Sequence, residues 1–256
     1  MAAGRNCFII SFPYVFTIAT FVLTILVIIG SIHENSFLRK LYFLEINVPT
    51  LMLANDVNFP ADRSETLQVG LWNYCIARDG ALTCERVSGL FWFDPRVVLS
   101  HVTGLDNLNL SDTITKPLSA ARPISYVMTI MYCASAIFAV MQFIAGFFSF
   151  HSRGGSICTM ILAFFTSACI IVASSLATSL YYGEYRAYRE FAATAADEVA
   201  FINRTTYGIT WGAVVASLLA VVFWFFSICF GSTSSHRQRG NPVIYQPVDN
   251  MEMRHM

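Results

Sequence analysis

The sequence predicts a membrane all-α four-helix bundle that carries a small antiparallel β-sheet on one side of the bilayer. Three observations predict it. Four long apolar stretches contain no Asp, Glu, Lys or Arg. Charged residues make up only 12% of the 256, against 55% hydrophobic, where a soluble domain carries about a quarter charged. An Asp79-Gly80 pair stands midway between Cys75 and Cys84, the arrangement of a tight hairpin closed by a disulfide.

The elements follow in chain order. Residues 1–6 form a short N-terminus with Arg5, and residues 7–30 form the first span. Each span needs about 20 apolar residues to cross a hydrocarbon core of about 30 Å, and a helix satisfies its own backbone there. The Arg5 flank and the small Gly30-Ser31 pair also fit a cleaved signal peptide. The apolar run is about twice as long as a signal core, so the segment is expected to stay.

Residues 31–123 form an outer segment long enough for a β domain, followed by a second span over 124–150 and a loop over 151–155. A third span over 156–182, a second outer loop over 183–206 and a fourth span over 207–231 complete the membrane part. The second outer loop has room for little more than helix extensions and a turn. The tail, 232–256, is polar around Ser232-Thr-Ser-Ser235 and proline-broken from Asn241 to Val248, a composition expected to be disordered. Its Tyr245-Gln-Pro-Val248 fits a short tyrosine-based sorting pattern of low specificity.

Two independent signals orient the chain. Arg5, the Arg153 of the 151–155 loop, and Arg237, Arg239 and Arg254 of the tail flank the spans on one side, which the positive-inside rule assigns to the cytosol. The sequons Asn109-Leu-Ser111 and Asn203-Arg-Thr205 both fall in the segments this places outside, where glycosylation occurs. The expected protein is therefore multi-pass, with both termini cytosolic.

The outer segment has one strong local signal. Type I′ turns need positive φ at both central positions, and Asp-Gly tolerates that. Pairing about Asp79-Gly80 sets Arg78 opposite Ala81, Ala77 opposite Leu82, Ile76 opposite Thr83 and Cys75 opposite Cys84. The cysteines then form a non-hydrogen-bonded pair with Cα atoms about 4.5 Å apart, at the close end of the disulfide range. Strands are expected near Leu38–Ile46, Thr66–Ala77 and Ala81–Leu90, with a further short one. On a strand through 66–77, Trp72 and Tyr74 share one face and Asn73 joins the cysteines on the other. Trp72 reads as packing at the junction of sheet and membrane, or as a partner-binding aromatic.

Gly70-Leu71-Trp72-X-X-Cys75, followed by Cys84, resembles the first-ectodomain signature of the claudin superfamily, and it stands between spans one and two as in those proteins. Arg122 resembles the arginine that claudin-like proteins carry before the second helix. No Trp precedes Trp72, where animal claudins carry another. Trp72-Asn-Tyr74-Cys75, Cys84 and then Phe91-Trp-Phe-Asp94-Pro95 is similar to the pattern of the fungal tetraspan family that includes PalI and the eisosome-associated Sur proteins. That resemblance implies a role in organising plasma-membrane compartments and supporting the cell wall or cell surface. It equally accommodates an accessory role in ambient-pH signalling, or a claudin-like role in cell contact. PalI-type members often carry a long cytosolic tail, and the short tail here inclines the reading toward membrane organisation.

Composition excludes other classes. Formal net charge is zero and no polybasic run exists, so no nucleic-acid partner is expected. The spans lack His as well as charged residues, which leaves Gln142 as their most polar side chain. A transport path through the bundle normally needs ionisable groups at that depth; a pore between neighbouring ectodomains would not. His33, His101 and His151 are isolated, and no CxxC or HxxxH pair occurs. No enzymatic activity, catalytic residue, metal, cofactor or small-molecule substrate is therefore expected. Asp94-Pro95 reads as a turn fixed by its proline.

The expected partners are membrane lipids, further copies of the chain, or other membrane proteins. Gly208, Gly212, Ala216 and Ala220 form a small-residue stripe that lets a helix approach closely, within the bundle or between molecules. Phe223-Trp-Phe-Phe226 and Phe147-Phe148 read as rings anchored at the headgroups. Cys7, Cys158 and Cys229 stand near the cytosolic ends of their spans, where palmitoylation occurs, though free cysteine is also an ordinary packing residue. Cys133 and Cys169 lie deeper and read as packing.

Overall fold

The apolar stretches form four helices: α1 Ala2–Ile29, α2 Leu118–Ser149, α3 Arg153–Phe191 and α4 Arg204–Phe230. The computed structural model describes residues 2–30, 38–49, 51, 65–78, 81–85, 94, 98, 118–149, 153–191 and 199–230. Of 2–10, 39, 85, 118–120, 153, 154, 191, 229 and 230 it describes the backbone alone. Each helix contains a span long and apolar enough to cross a membrane, with mean hydropathy from 1.9 to 2.4. The chain is a multi-pass membrane protein.

α1 packs on α2 and α4, and α3 packs on the same two, so the helices close a ring in chain order. Val15, Ile137, Phe164 and Val215 point outward and are more than half exposed, as lipid-facing side chains. Inside, hydroxyls that hydrocarbon cannot satisfy bond to the carbonyl one turn back: Thr17 to Pro13, Thr20 to Phe16, Thr159 to Gly155 and Thr166 to Leu162, at 2.8–2.9 Å. Polar links also join helices. Gln142 Nε2 donates to Thr17 Oγ1 at 2.8 Å between α2 and α1, and Ser167 and Ser217 meet at 3.2 Å between α3 and α4. Ser217 spends its own proton on the Val214 carbonyl, so Ser167 is the donor.

At the end of the bundle away from the sheet, Trp224 is fully buried with Ala163 and Ala220, its ring 5.6 Å from that of Tyr14. This corrects the expectation that the whole 223–226 cluster anchors in headgroups. Phe225 and Phe226 are exposed, as are Phe147 and Phe148, but Trp224 stands one turn below Ala220 on the buried face. Gly155 lets the start of α3 lie close against the end of α2, since a Cβ there would lie 2.7 Å from the carbonyl of Phe148.

On the other end sits a five-stranded antiparallel sheet: β1 Leu44–Asn47, β2 Glu65–Val69, β3 Tyr74–Arg78, β4 Ala81–Glu85 and β5 Ala200–Ile202, in the order β4-β3-β2-β1-β5. Three strand expectations change. The predicted strand at Leu38–Ile46 begins only at Leu44, and Leu38–Lys40 is a 3₁₀ turn. The predicted strand over Thr66–Ala77 is two strands, because Gly70–Asn73 turns the chain back and pairs Val69 with Tyr74. The second outer loop contributes β5, which pairs with β1 from Leu44↔Ile202 to Ile46↔Ala200. Residues 86–90 of the third expected strand lie outside the described residues.

One apolar core runs from sheet to bundle. Leu44, Ile46, Leu67 and Val69 of the sheet share it with Val27 of α1, Met128 of α2, Ala177 and Tyr181 of α3 and Ala213 of α4. Burial on this scale fastens the sheet to the helices.

Candidate functional site

The Gly70–Asn73 turn is where the predicted motif meets the bundle. Gly70 N donates to the Asn73 carbonyl at 2.9 Å, and Phe43 N donates to the Val69 carbonyl at 2.9 Å. The Tyr181 hydroxyl reaches up from α3 and donates to the Gly70 carbonyl at 3.0 Å. Its ring stacks on Phe43, with centroids 4.7 Å apart and planes 6° from parallel. Leu71 beside it is 1% exposed. Trp72 is half-buried against the core cluster. Since Trp72 lies in a turn and Tyr74 opens β3, the two rings do not share a strand face as expected; the Gly70 turn intervenes.

β3 and β4 form the predicted hairpin. Cys75 and Cys84 are directly opposed and bonded, with Cα atoms 4.0 Å apart, and the register is Arg78↔Ala81, Ala77↔Leu82 and Ile76↔Thr83. The Asp79-Gly80 turn itself lies outside the described residues. Across β2 and β3, the buried Glu65 carboxylate accepts from Arg78 Nε at 3.0 Å. Near β1, the Tyr42 hydroxyl donates to Glu45 Oε2 at 2.5 Å. Burial first, and then the Glu45 carboxylate, push the Tyr42 phenol above its ordinary range.

The other predicted positions are dispersed. Asp94 is half-buried, and its carbonyl accepts from Val98 N at 3.0 Å. Pro95, Phe91–Phe93 and Asn109 lie outside the described residues. Arg122 is exposed near the start of α2, its guanidinium 5.8 Å from the centroid of Tyr126. Asn203 does more than its sequon suggests. Its Oδ1 accepts from Thr205 N at 3.0 Å, its carbonyl accepts from Tyr207 N at 3.3 Å, and its Nδ2 donates to the Lys40 carbonyl. It is the N-cap of α4, tied to the chain entering β1.

The small-residue stripe divides. Ala216 and Ala220 are buried and Gly212 faces Leu23 of α1, whereas a Cβ on Gly208 would meet nothing within 4 Å. Cys158 is free and exposed, and Cys133 and Cys169 are free and half-buried. The side chains of Cys7 and Cys229 lie outside the described residues. Among the described residues, no three His, Cys, Asp or Glu side chains gather as a metal would require.

Sequence reasoning missed Glu184. It ended the third span at 182, but α3 continues to Phe191 and buries Glu184 to 7% exposure. The signal was present: Ala177, Tyr181, Glu184 and Tyr188 recur at helical spacing, all on the buried face.

A five-stranded sheet with a disulfide hairpin, fastened by an aromatic turn to one end of four apolar helices, defines a claudin-like tetraspan membrane protein. The family profile described as the SUR7/PalI family matches residues 9–223. The chain belongs to the SUR7/PalI family. Protein PUN1 of Saccharomyces cerevisiae is 24% identical over 252 residues, spanning 86% of this chain and 91% of that protein.

Proposed function

We propose that the chain is a non-catalytic plasma-membrane protein that organises lateral membrane compartments of the eisosome kind and supports cell-wall or cell-surface integrity. The sheet faces outward and both termini lie in the cytosol. Membership of the SUR7/PalI family over residues 9–223 is the observation that carries this reading. The Cys75–Cys84 bond supports the outward sheet, because such bonds persist in oxidising compartments.

The physical case is one of shape and surface. The exterior of the helices is a band of Phe, Ile, Val and Leu suited to lipid. The sheet shares its core with the bundle, so a force or contact on the outer domain is transmitted to the helices without an intervening flexible link at that core. Membrane lipids are the first partners, and further copies of the chain or other membrane proteins the second. A Cβ on Gly208 would meet nothing within 4 Å, which leaves this part of α4 open to another molecule.

Fluorescent tagging of the full chain in its host tests the proposal. Stable patches with slow recovery after photobleaching support it. A uniform, freely mobile distribution overturns it. In that case, deletion that blocks the transcriptional response to external alkalinity would favour the ambient-pH role. Lost adhesion in a surface-delivered Trp72→Ala protein would favour cell contact.

A further inference from the structure

At 1.5 Å per residue, the 39 residues of α3 extend about 58 Å, well beyond a hydrocarbon core of about 30 Å. Tyr181 bonds to Gly70 in the sheet domain, so the helix from that point onward stands level with the sheet. Glu184 is three residues further. It is 7% exposed, and neither carboxyl oxygen has a hydrogen-bond partner.

Its surroundings contain hydroxyls and no cation among the described residues. Tyr181 and Tyr188 flank it on α3 and Tyr207 faces it from α4, with Tyr132 of α2 next to Tyr181 and Tyr207. Asp94 approaches Tyr188 from the chain between β4 and α2. β5, which packs on α3, brings Ala200, Phe201 and Ile202. Arg186 and Arg189 lie over Tyr182 and Tyr185 instead, and Arg204 and Lys40 are exposed.

The hydroxyls of Tyr132, Tyr188, Tyr207, Thr206, Thr210 and Ser174 are also buried without a partner. Thr210 and Ser174 flank the Tyr132 hydroxyl, yet none closes a well-directed bond. Buried polar atoms are almost always hydrogen-bonded. Where protein atoms do not meet the need, internal water with several polar partners does. An ionised carboxylate in the same place would exchange bulk water for a few internal waters and gain no counter-charge, a costlier state than the neutral acid.

We propose that this region is a hydrated internal site whose ligands are a few water molecules and one proton. The waters bridge the Glu184 carboxyl to the neighbouring tyrosine hydroxyls. The carboxyl takes its proton from the outer aqueous phase and remains a neutral acid while the sheet is seated on the bundle. Ionisation returns the proton to that phase and leaves an uncompensated charge beneath the sheet. The folded chain then holds a proton that the unfolded chain has already released, so stability falls as pH rises above the ordinary glutamate value of about 4.3.

The test is the thermal midpoint of the full chain in lipid nanodiscs, from about pH 5 to about pH 9, in choline, sodium and potassium chloride. The wild-type midpoint should fall as pH rises and be the same in all three salts. Glu184→Gln keeps the shape of the neutral acid and cannot ionise, so it should hold its low-pH midpoint across the range. Equal pH dependence in the two proteins overturns the proposal. So does a midpoint set by which alkali cation is present, which would make this a cation site. Should Glu184→Gln fail to fold, infrared spectroscopy of the wild type decides: the carbonyl band of a protonated acid should be present at neutral pH and disappear on alkalinisation. Its absence at neutral pH overturns the proposal. None of these outcomes bears on lateral clustering, which the tagging experiment decides.

Discussion

Tyr181→Phe removes one hydrogen bond and almost nothing else. The hydroxyl donates to the Gly70 carbonyl at 3.0 Å, and Gly70 is buried, so that carbonyl loses its partner. An unsatisfied buried acceptor costs about 1–3 kcal/mol. The phenyl ring keeps its stack on Phe43, whose centroid is 4.7 Å away. Tyr181→Ala removes the ring as well and should cost more, since deleting a buried aromatic costs about 3–5 kcal/mol. The assay is denaturant unfolding of the full chain in nanodiscs, followed by the fluorescence of its four tryptophans, among them Trp72, two residues from Gly70. The expected order is wild type, then Phe, then Ala, with the Phe step in the stated range. A Tyr181→Phe protein within about 0.5 kcal/mol of wild type, the span of an ordinary surface change, would refute the claim that this bond fastens the turn to α3.

Three other perturbations separate strong ties from weak ones. Replacing Cys75 and Cys84 by Ser should cost about 2.5 kcal/mol through the loop they close; an unchanged thermal midpoint with and without reductant would show that the sheet alone holds the hairpin. Asn203→Ala should cost about 1 kcal/mol as a lost cap, with Asn203→Ser intermediate because its shorter side chain caps α4 but does not reach the Lys40 carbonyl; equal loss in both, by unfolding free energy, would count against the capping role. Gln142→Leu should cost only about 0.6 kcal/mol, the average for a hydrogen bond between membrane helices, and a loss several times larger would reveal a role beyond the bond to Thr17.

The parts of the fold that depend on local rules were legible. Uninterrupted apolar runs dictate membrane helices, and a turn type that demands positive φ dictates the register that opposes Cys75 and Cys84. What depended on distant partners was not. Ala200–Ile202 is too short to announce a strand, and it becomes one because β1 offers an edge. Gly70 breaks the strand after Val69 because its carbonyl is claimed by Tyr181, more than a hundred residues away. Asn203 carried two readings, and only the position of the α4 amides identified its capping role. Trp224 looked like its aromatic neighbours until helix rotation placed it on the buried face. Glu184 escaped because the third span was ended where hydropathy fell, while the helical period continued through it.

The place of β5 has a consequence for biosynthesis. β1 is complete by Asn47, but its partner on that side arrives about 150 residues later. At a translation rate of about 5–20 residues per second, roughly 8–30 s pass before that partner is made. Both strands of the hairpin, neighbours in the chain, are made well before it. Until the chain beyond the third helix has been made, β1 presents an unzipped margin, and that interval is when a chaperone or a wrong strand has its chance to bind.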